Sequence, residues 1–299
     1  MTPLVSVIVC TLAEAQRKAS LLRALDSART ASAQPVHIIA VVNGQRRDPE
    51  VVQALQAMED VTLASLLQAS LPAARRAGRQ AVTTPFYCCL DDDDELLPGS
   101  IDVRLALLLG DPAVDIAVGN GYVRRNGSDT VFYRHLDQVT AAPLHALFKE
   151  NWLASCGAMF RADSVGSGYF DDPLPYAEWT WLAFRLARDS KTVAVTDQPT
   201  FRIHDTAGSA SKTPQYGDAL ETLHQKMLDS APPADVARLV HQRISAHLHM
   251  KAEQLWRSGQ LRQAWAVHLR SLSHPGGLRY LAFSRHLLLT RPADPGAAR

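Results

Sequence analysis

The densest chemistry in the chain is one run of carboxylates, Asp91-Asp92-Asp93-Asp94-Glu95. It follows directly on Phe86-Tyr87-Cys88-Cys89-Leu90, a short apolar run that reads as a strand buried on both faces. In open α/β sheets, ligands collect beyond the carboxyl ends of the strands. That placement favours a site over a solvated acidic loop, the other reading such a run allows. Adjacent carboxylates repel: two unit charges about 4 Å apart cost roughly 4 kcal/mol at an effective dielectric near ~20. The run must therefore be solvated, partly protonated or paired with a cation. Hard oxygen ligands on a tight turn suit Mg²⁺ or Mn²⁺. Mg²⁺ typically takes one or two carboxylates and completes its shell from water and substrate phosphate.

The elements that must hold this run alternate between strand and helix signals. Residues 4–10 form a β-branched run that predicts a buried strand. Leu21, Leu22, Leu25 and Ala28 have helical spacing, and residues 36–42 predict a second buried strand closed by Asn43-Gly44. Asp48-Pro49 reads as the N-cap and first-turn pair of a helix through Met58. A short strand at 61–63, a helix at 73–81 and the strand at 86–90 follow. Pro98 then opens a helix with Ile101, Leu105, Leu108 and Leu109 on one stripe. This order predicts a mostly parallel, doubly wound sheet. Beyond it, shorter strands are expected at 115–118, 130–134, 157–161 and 192–196, and a largely buried helix at about 176–189. The Gly/Ser/Thr stretch 205–217 predicts a mobile loop. From there to about Leu289 the pattern is helical, broken at Pro232-Pro233, Gly259 and Pro275-Gly276-Gly277. Two domains are expected, 1–217 and a C-terminal α-helical subdomain over 218–299.

Composition narrows the classes. With 299 residues, 46 % of them hydrophobic, and 31 Lys and Arg against 30 Asp and Glu, the chain is neither mainly disordered nor globally suited to nucleic acid. No run of 18 apolar residues predicts a membrane span. Thr2-Pro3 leads straight into a strand, so no signal peptide is expected and the protein is read as cytoplasmic. Cys10, Cys88, Cys89 and Cys156 form no C-x-x-C pair and are expected to be buried reduced thiols. Charge is uneven. Residues 241–299 carry nine basic and two acidic side chains, net +7, which leaves −6 on the preceding 240. The helical tail is expected either to pack as a subdomain with a solvated basic face or to contact anionic lipid.

Several motifs, taken in order, resemble family 2 glycosyltransferases of the GT-A fold. Val5-Ser6-Val7-Ile8-Val9-Cys10-Thr11 resembles the family's opening strand, and Leu90-Asp91-Asp92-Asp93-Asp94 its D-x-D-D signature. Ala74-Arg75-Arg76-Ala77-Gly78 resembles its Arg-Asn-x-Gly element, with Arg76 in the Asn position. Phe201-Arg202-Ile203-His204 resembles its closing Arg-x-His, and strand alternation puts Arg202 and His204 on one face. The similarity spans about residues 4–205. It implies an inverting, metal-dependent glycosyltransferase that uses a nucleotide-diphosphate sugar, a UDP-sugar first. It further implies a saccharide or lipid-linked acceptor in bacterial cell-surface polysaccharide synthesis. Such an acceptor, with the +7 charge of 241–299, adds to the expectation that this tail makes peripheral contact with the inner membrane if it is not simply a packed subdomain.

The resemblance also assigns roles. Thr11, Glu14, Asn43, Arg75, Asp91, Asp92 and Arg202 fall on the nucleotide and phosphate side, Asn43 where many members carry Asp. Asp93, with His204, would hold Mn²⁺ or Mg²⁺. Counted back from Arg185, Glu178 matches the family's Glu, and Trp179 stands where the catalytic Asp usually does. Trp179 offers no basic atom, so Glu178 is the expected base, with Asp171 and Asp172 in reserve. The other role open to Glu178 is to cap its helix or pair with an arginine. Two alternatives stand beside this reading: a non-catalytic nucleotide-sugar-binding protein of the same fold, and a metal-dependent nucleotidyltransferase. The latter needs a glycine-rich phosphate loop after the first strand, and Thr11-Leu12-Ala13-Glu14 is not one.

Overall fold

The computed structural model describes residues 2–171, 174, 176–205 and 214–289. The chain divides into two compact units, Met1–Tyr216 and Gly217–Arg299. The first unit runs β1 (Val5–Thr11), α1 (Lys18–Thr30), β2 (His37–Asn43), α2 (Pro49–Gln56), β3 (Val61–Leu66), α3 (Leu71–Gln80), β4 (Phe86–Asp91), β5 (Glu95–Leu96) and α4 (Ser100–Gly110). It continues through β6 (Ile116–Arg125), β7 (Ser128–Val131), α5 (Pro143–Ala146), β8 (Ala158–Arg161), α6 (Glu178–Arg188) and β9 (Val193–His204). The sheet order is β3-β2-β1-β4-β8-β6-β9-β5, with β7 added on β6. Its first half is wholly parallel, and β8 runs antiparallel between β4 and β6. This is the α/β architecture the sequence predicts.

The strands at the centre are the apolar runs. Every residue of β1 is buried, as are the first five of β4, because helices cover both faces. The register lines up three strand ends, with Cys10 of β1 beside Val41 of β2 and Asp91 of β4. One edge therefore presents Thr11, Asn43 and Asp91 together. Asp48 caps α2 by accepting from the Glu50 and Val51 amides, as Asp48-Pro49 predicts. Ser70 caps α3 through the Ala73 amide.

Gly78 sets how closely α3 lies on the sheet. A Cβ there would fall on the Ile8 side chain of β1 and come within 3.2 Å of Val41. Gly78→Ala is expected to cost about 1–3 kcal/mol through overpacking. A thermal melt checks this; an unchanged midpoint would mean the helix has room to move away.

Three expectations change. β6 extends to Arg125, and the separate signals at 192–196 and 201–204 are one strand, β9, whose pairing with β6 shifts register at Gly119, Asn120 and Gly121. The stretch 205–217 is not all loop, since α7 (Pro214–Asp229) begins within it; residues 206–213 lie outside the described residues.

The second unit contains most of α7 and all of α8 (Ala234–Arg257), α9 (Leu261–Ser273) and α10 (Phe283–Leu289). The breaks fall at Pro232-Pro233, Gly259 and Pro275-Gly276-Gly277, the residues that predict them. Val240, Leu248, Ala252 and Ala264 are buried in it. Among the described residues, no helix is long and apolar enough to cross a membrane. All four cysteines are free and buried, and burial pushes the Cys10 thiol up to about 12.

Candidate active site

The connection leaving β1 is held in a bent shape. Ala13 is buried with φ at 50°, a conformation that favours glycine. Its amide donates to Thr11 Oγ1 at 2.9 Å, and its carbonyl accepts from the Asp48 amide at 2.8 Å. These bonds offset the strain and fix the turn that leads to Glu14 and Arg17. Glu14 accepts from Gln16 at 2.8 Å and meets Arg46 at 3.3 Å. At the end of β2, Asn43 Oδ1 accepts from the Ser70 amide at 2.7 Å and so anchors the turn into α3.

The acidic run is neutralised mainly by arginines of the chain itself. Asp91 accepts from Arg75 Nη2 at 3.2 Å. Asp92 is buried and accepts from Thr11 Oγ1 at 2.6 Å and from Arg17 through Nε and Nη2. Burial raises the Asp92 pKa, although the bonds from Arg17 and Thr11 work against that. Asp93 lies 3.2 Å from Arg17 Nη2, and its backbone carbonyl accepts from Arg23. Asp94 is buried, accepts from the His204 amide at 3.0 Å, and is pushed up to about 8 by burial and by the charges of Asp91 and Asp93. Glu95 meets Arg23 at 2.8 Å, Arg202 at 3.0 Å and His204 Nε2 at 3.0 Å. Burial opposes its charge, but the bonds from His204 and Arg202 hold its pKa below the usual glutamate range.

Arg75 joins two parts of the site. It is 4 % exposed, and its guanidinium donates to Glu178 Oε1 at 2.5 Å as well as to Asp91. The Trp179 ring lies 4.7 Å from its Cζ, within cation–π range. Burial disfavours the Arg75 charge, yet Asp91 and Glu178 outweigh that and raise its pKa. Glu178 opens α6, and its second oxygen, Oε2, is buried with no hydrogen-bond partner among the described residues.

The other sequence-predicted residues are placed differently. Asp171 pairs with Arg76 at 2.7 Å, both side chains about half exposed, and Asp172 lies outside the described residues. Arg202 and His204 do share a face, as alternation predicts, but they converge on Glu95, and Arg202 also meets Asp129 at 2.9 Å. Asp93 and His204 line one open cleft of about 550 Å³, with Arg17, Arg23, Arg124 and Asp205. Sequence reasoning missed Arg17, Arg23 and the bent Ala13. The demand for a counter-cation was legible, and the basic residues just after the first strand were its nearest source.

The sequence profile of glycosyl transferase family 2 matches residues 6–167. Solved structures of Staphylococcus aureus TarS 1-349 share the fold. The complex with UDP-GlcNAc has a TM-score of 0.57 and 11% sequence identity, covering 82% of this chain and 71% of that one. TarS 1-349 itself gives 0.57 at 13% identity, and its complex with UDP 0.53 at 12%; each covers 82% of this chain and 70% of the other. Identities this low carry likeness of fold alone. No curated protein sequence matches the chain.

Proposed function

The chain belongs to glycosyl transferase family 2, and from that premise we propose that it transfers a sugar, with inversion, from a uridine diphosphate sugar to a hydroxyl of a saccharide or lipid-linked acceptor. Assembly of bacterial cell-surface polysaccharide is the setting this reading implies. The observation that carries the proposal is the flush edge formed by Thr11, Asn43 and Asp91 at the ends of β1, β2 and β4, with Arg75 and Asp93 beside it. TarS, of the same fold, is known in complex with UDP-GlcNAc and with UDP.

The donor set fits a hard divalent ion. Asp93 supplies the hard oxygen donor, and Mg²⁺ or Mn²⁺ needs few protein ligands when phosphate and water complete its shell. His204 lines the same cleft, with its Nε2 turned to Glu95 at 3.0 Å, and would have to leave that partner to join. Among the described residues no three His, Cys, Asp or Glu side chains gather as a metal cage; the remaining places in the shell would fall to the diphosphate and water. A bound ion would supply Lewis-acid stabilisation of the charge on the departing diphosphate.

The chain's own residues do the rest. Inversion needs a single in-line displacement. The acceptor oxygen bonds to the anomeric carbon as the bond to the diphosphate oxygen breaks, and the hydroxyl proton passes to a base. We assign that role to Glu178; Oε1 is held by Arg75 and Oε2 is buried without a partner among the described residues, so the carboxylate has to turn outward to meet an acceptor hydroxyl. Trp179, in the usual aspartate position, stacks on Arg75 and keeps it aimed between Glu178 and Asp91.

Thermal shift tests the reading. UDP with MnCl₂ at about 100 times the dissociation constant should stabilise the protein by roughly 2.7 kcal/mol. That is about 5–10 °C for a domain of this size. UDP alone and MnCl₂ alone should each do less. No shift with any nucleoside diphosphate, with or without metal, would end the proposal.

A further inference from the structure

The second unit leaves large apolar side chains uncovered on one short segment. Leu278, Leu281, Leu288 and Leu289 are 73%, 55%, 73% and 75% exposed. All four lie on the single-turn helix Gly277–Tyr280, on α10, or on the link between them.

This segment is fixed, not a frayed end. Leu287 and Gly277 are buried, the Tyr280 ring stacks on His249 of α8 at 4.1 Å, and Phe283 packs against His249 and His268 at 5.1 and 5.4 Å. The buried side chains pin one side to the helices beneath, which holds the leucines outward. Exposing four leucines within twelve residues is costly in water, and such patches mark interaction surfaces.

Charge identifies what covers them. From residue 254 to residue 289 there is no Asp or Glu, while Arg257, Arg262, Arg270, Arg279 and Arg285 fall in the same stretch. Arg279 and Arg285, both exposed, are interleaved with the leucines themselves. Arg257 is paired with Glu253, but Arg279 and Arg285 have no carboxylate on their own segment. A segment that is apolar and cationic at once complements a surface that is apolar and anionic. That is the interface of a bilayer containing acidic phospholipid, where leucines enter the acyl boundary and arginines reach the headgroups.

We propose that the ridge formed by Leu278, Leu281, Leu288 and Leu289, flanked by Arg279 and Arg285, docks the protein on an anionic phospholipid surface. The inference is independent of the sugar-transfer reading, because its readout is lipid binding.

The test uses the full chain with sedimenting vesicles of phosphatidylcholine alone or mixed with phosphatidylglycerol. Wild type should pellet with the mixed vesicles at low salt, and much less with phosphatidylcholine. The triple variant Leu281→Ser, Leu288→Ser, Leu289→Ser should lose at least tenfold in partitioning. Arg279→Gln with Arg285→Gln should lose about 25-fold, near fivefold per arginine. Both variants should keep the wild-type melting midpoint, since these side chains are exposed. No pelleting of wild type with the mixed vesicles would overturn the proposal. Equal pelleting of wild type and the serine variant would also overturn it, leaving only diffuse charge attraction. So would a self-association, seen by sedimentation velocity without lipid and abolished by the serine variant, because a second copy would then be what covers the leucines.

Discussion

Arg75→Met should unfold the first unit about 6–20 °C below wild type. The arginine is almost wholly buried and stands between two carboxylates, so removing it leaves Asp91 and Glu178 without their shared counter-charge. Breaking a buried ion pair from one side costs about 3–5 kcal/mol, and each kcal/mol moves the midpoint of a domain this size by roughly 2–4 °C. Methionine keeps much of the side-chain volume, so lost charge pairing, not a cavity, dominates the change. Adding Glu178→Gln removes one of the two stranded charges. The double variant should therefore melt above Arg75→Met alone, a coupling that a thermodynamic cycle reads directly. If Arg75→Met melts within ~2 °C of wild type, the guanidinium is not what joins α3, β4 and α6.

The sequence made some of this legible and hid the rest for a physical reason. β1, β2 and β4 are buried on both faces and so show up as predominantly apolar runs, with polar residues chiefly at their ends. The outer parts of β6 and β9 are half exposed. Arg124, Arg125 and Pro199 interrupt the pattern, and only their pairing across the sheet makes them strand. The same division holds in the site. The acidic run betrayed itself by its place after a buried strand. Its partners did not, because Arg75 and Glu178 are 103 residues apart in sequence and Arg17 and Asp92 are 75 apart, and spacing carries no information over such distances. Trp179 reads as a lost base in sequence; in space it is a lid on Arg75.

The acidic run should split under mutation, because its members are held differently. Asp93 is 22% exposed and shares Arg17 with Asp92. Asp93→Ala leaves that arginine paired, strands no buried charge and should melt near wild type. Its carboxylate is the one that lines the cleft with His204, so the variant should lose sugar transfer by about 10²–10³-fold or more, the scale of removing a group aimed at developing charge. Asp92 is the converse case. It is buried, accepts from both Thr11 and Arg17, and faces the bent connection after β1. Asp92→Ala should cost about 1–3 kcal/mol by leaving Thr11 Oγ1 without its acceptor and Arg17 with only its longer contact to Asp93, and its activity should fall with its fold. Parallel melts and UDP-release assays on the two variants separate the roles. A stable Asp93→Ala protein that still transfers sugar at the wild-type rate would move the metal and diphosphate away from this carboxylate. Loss of stability in Asp93→Ala to match Asp92→Ala would instead make both aspartates part of one structural ion pair with Arg17.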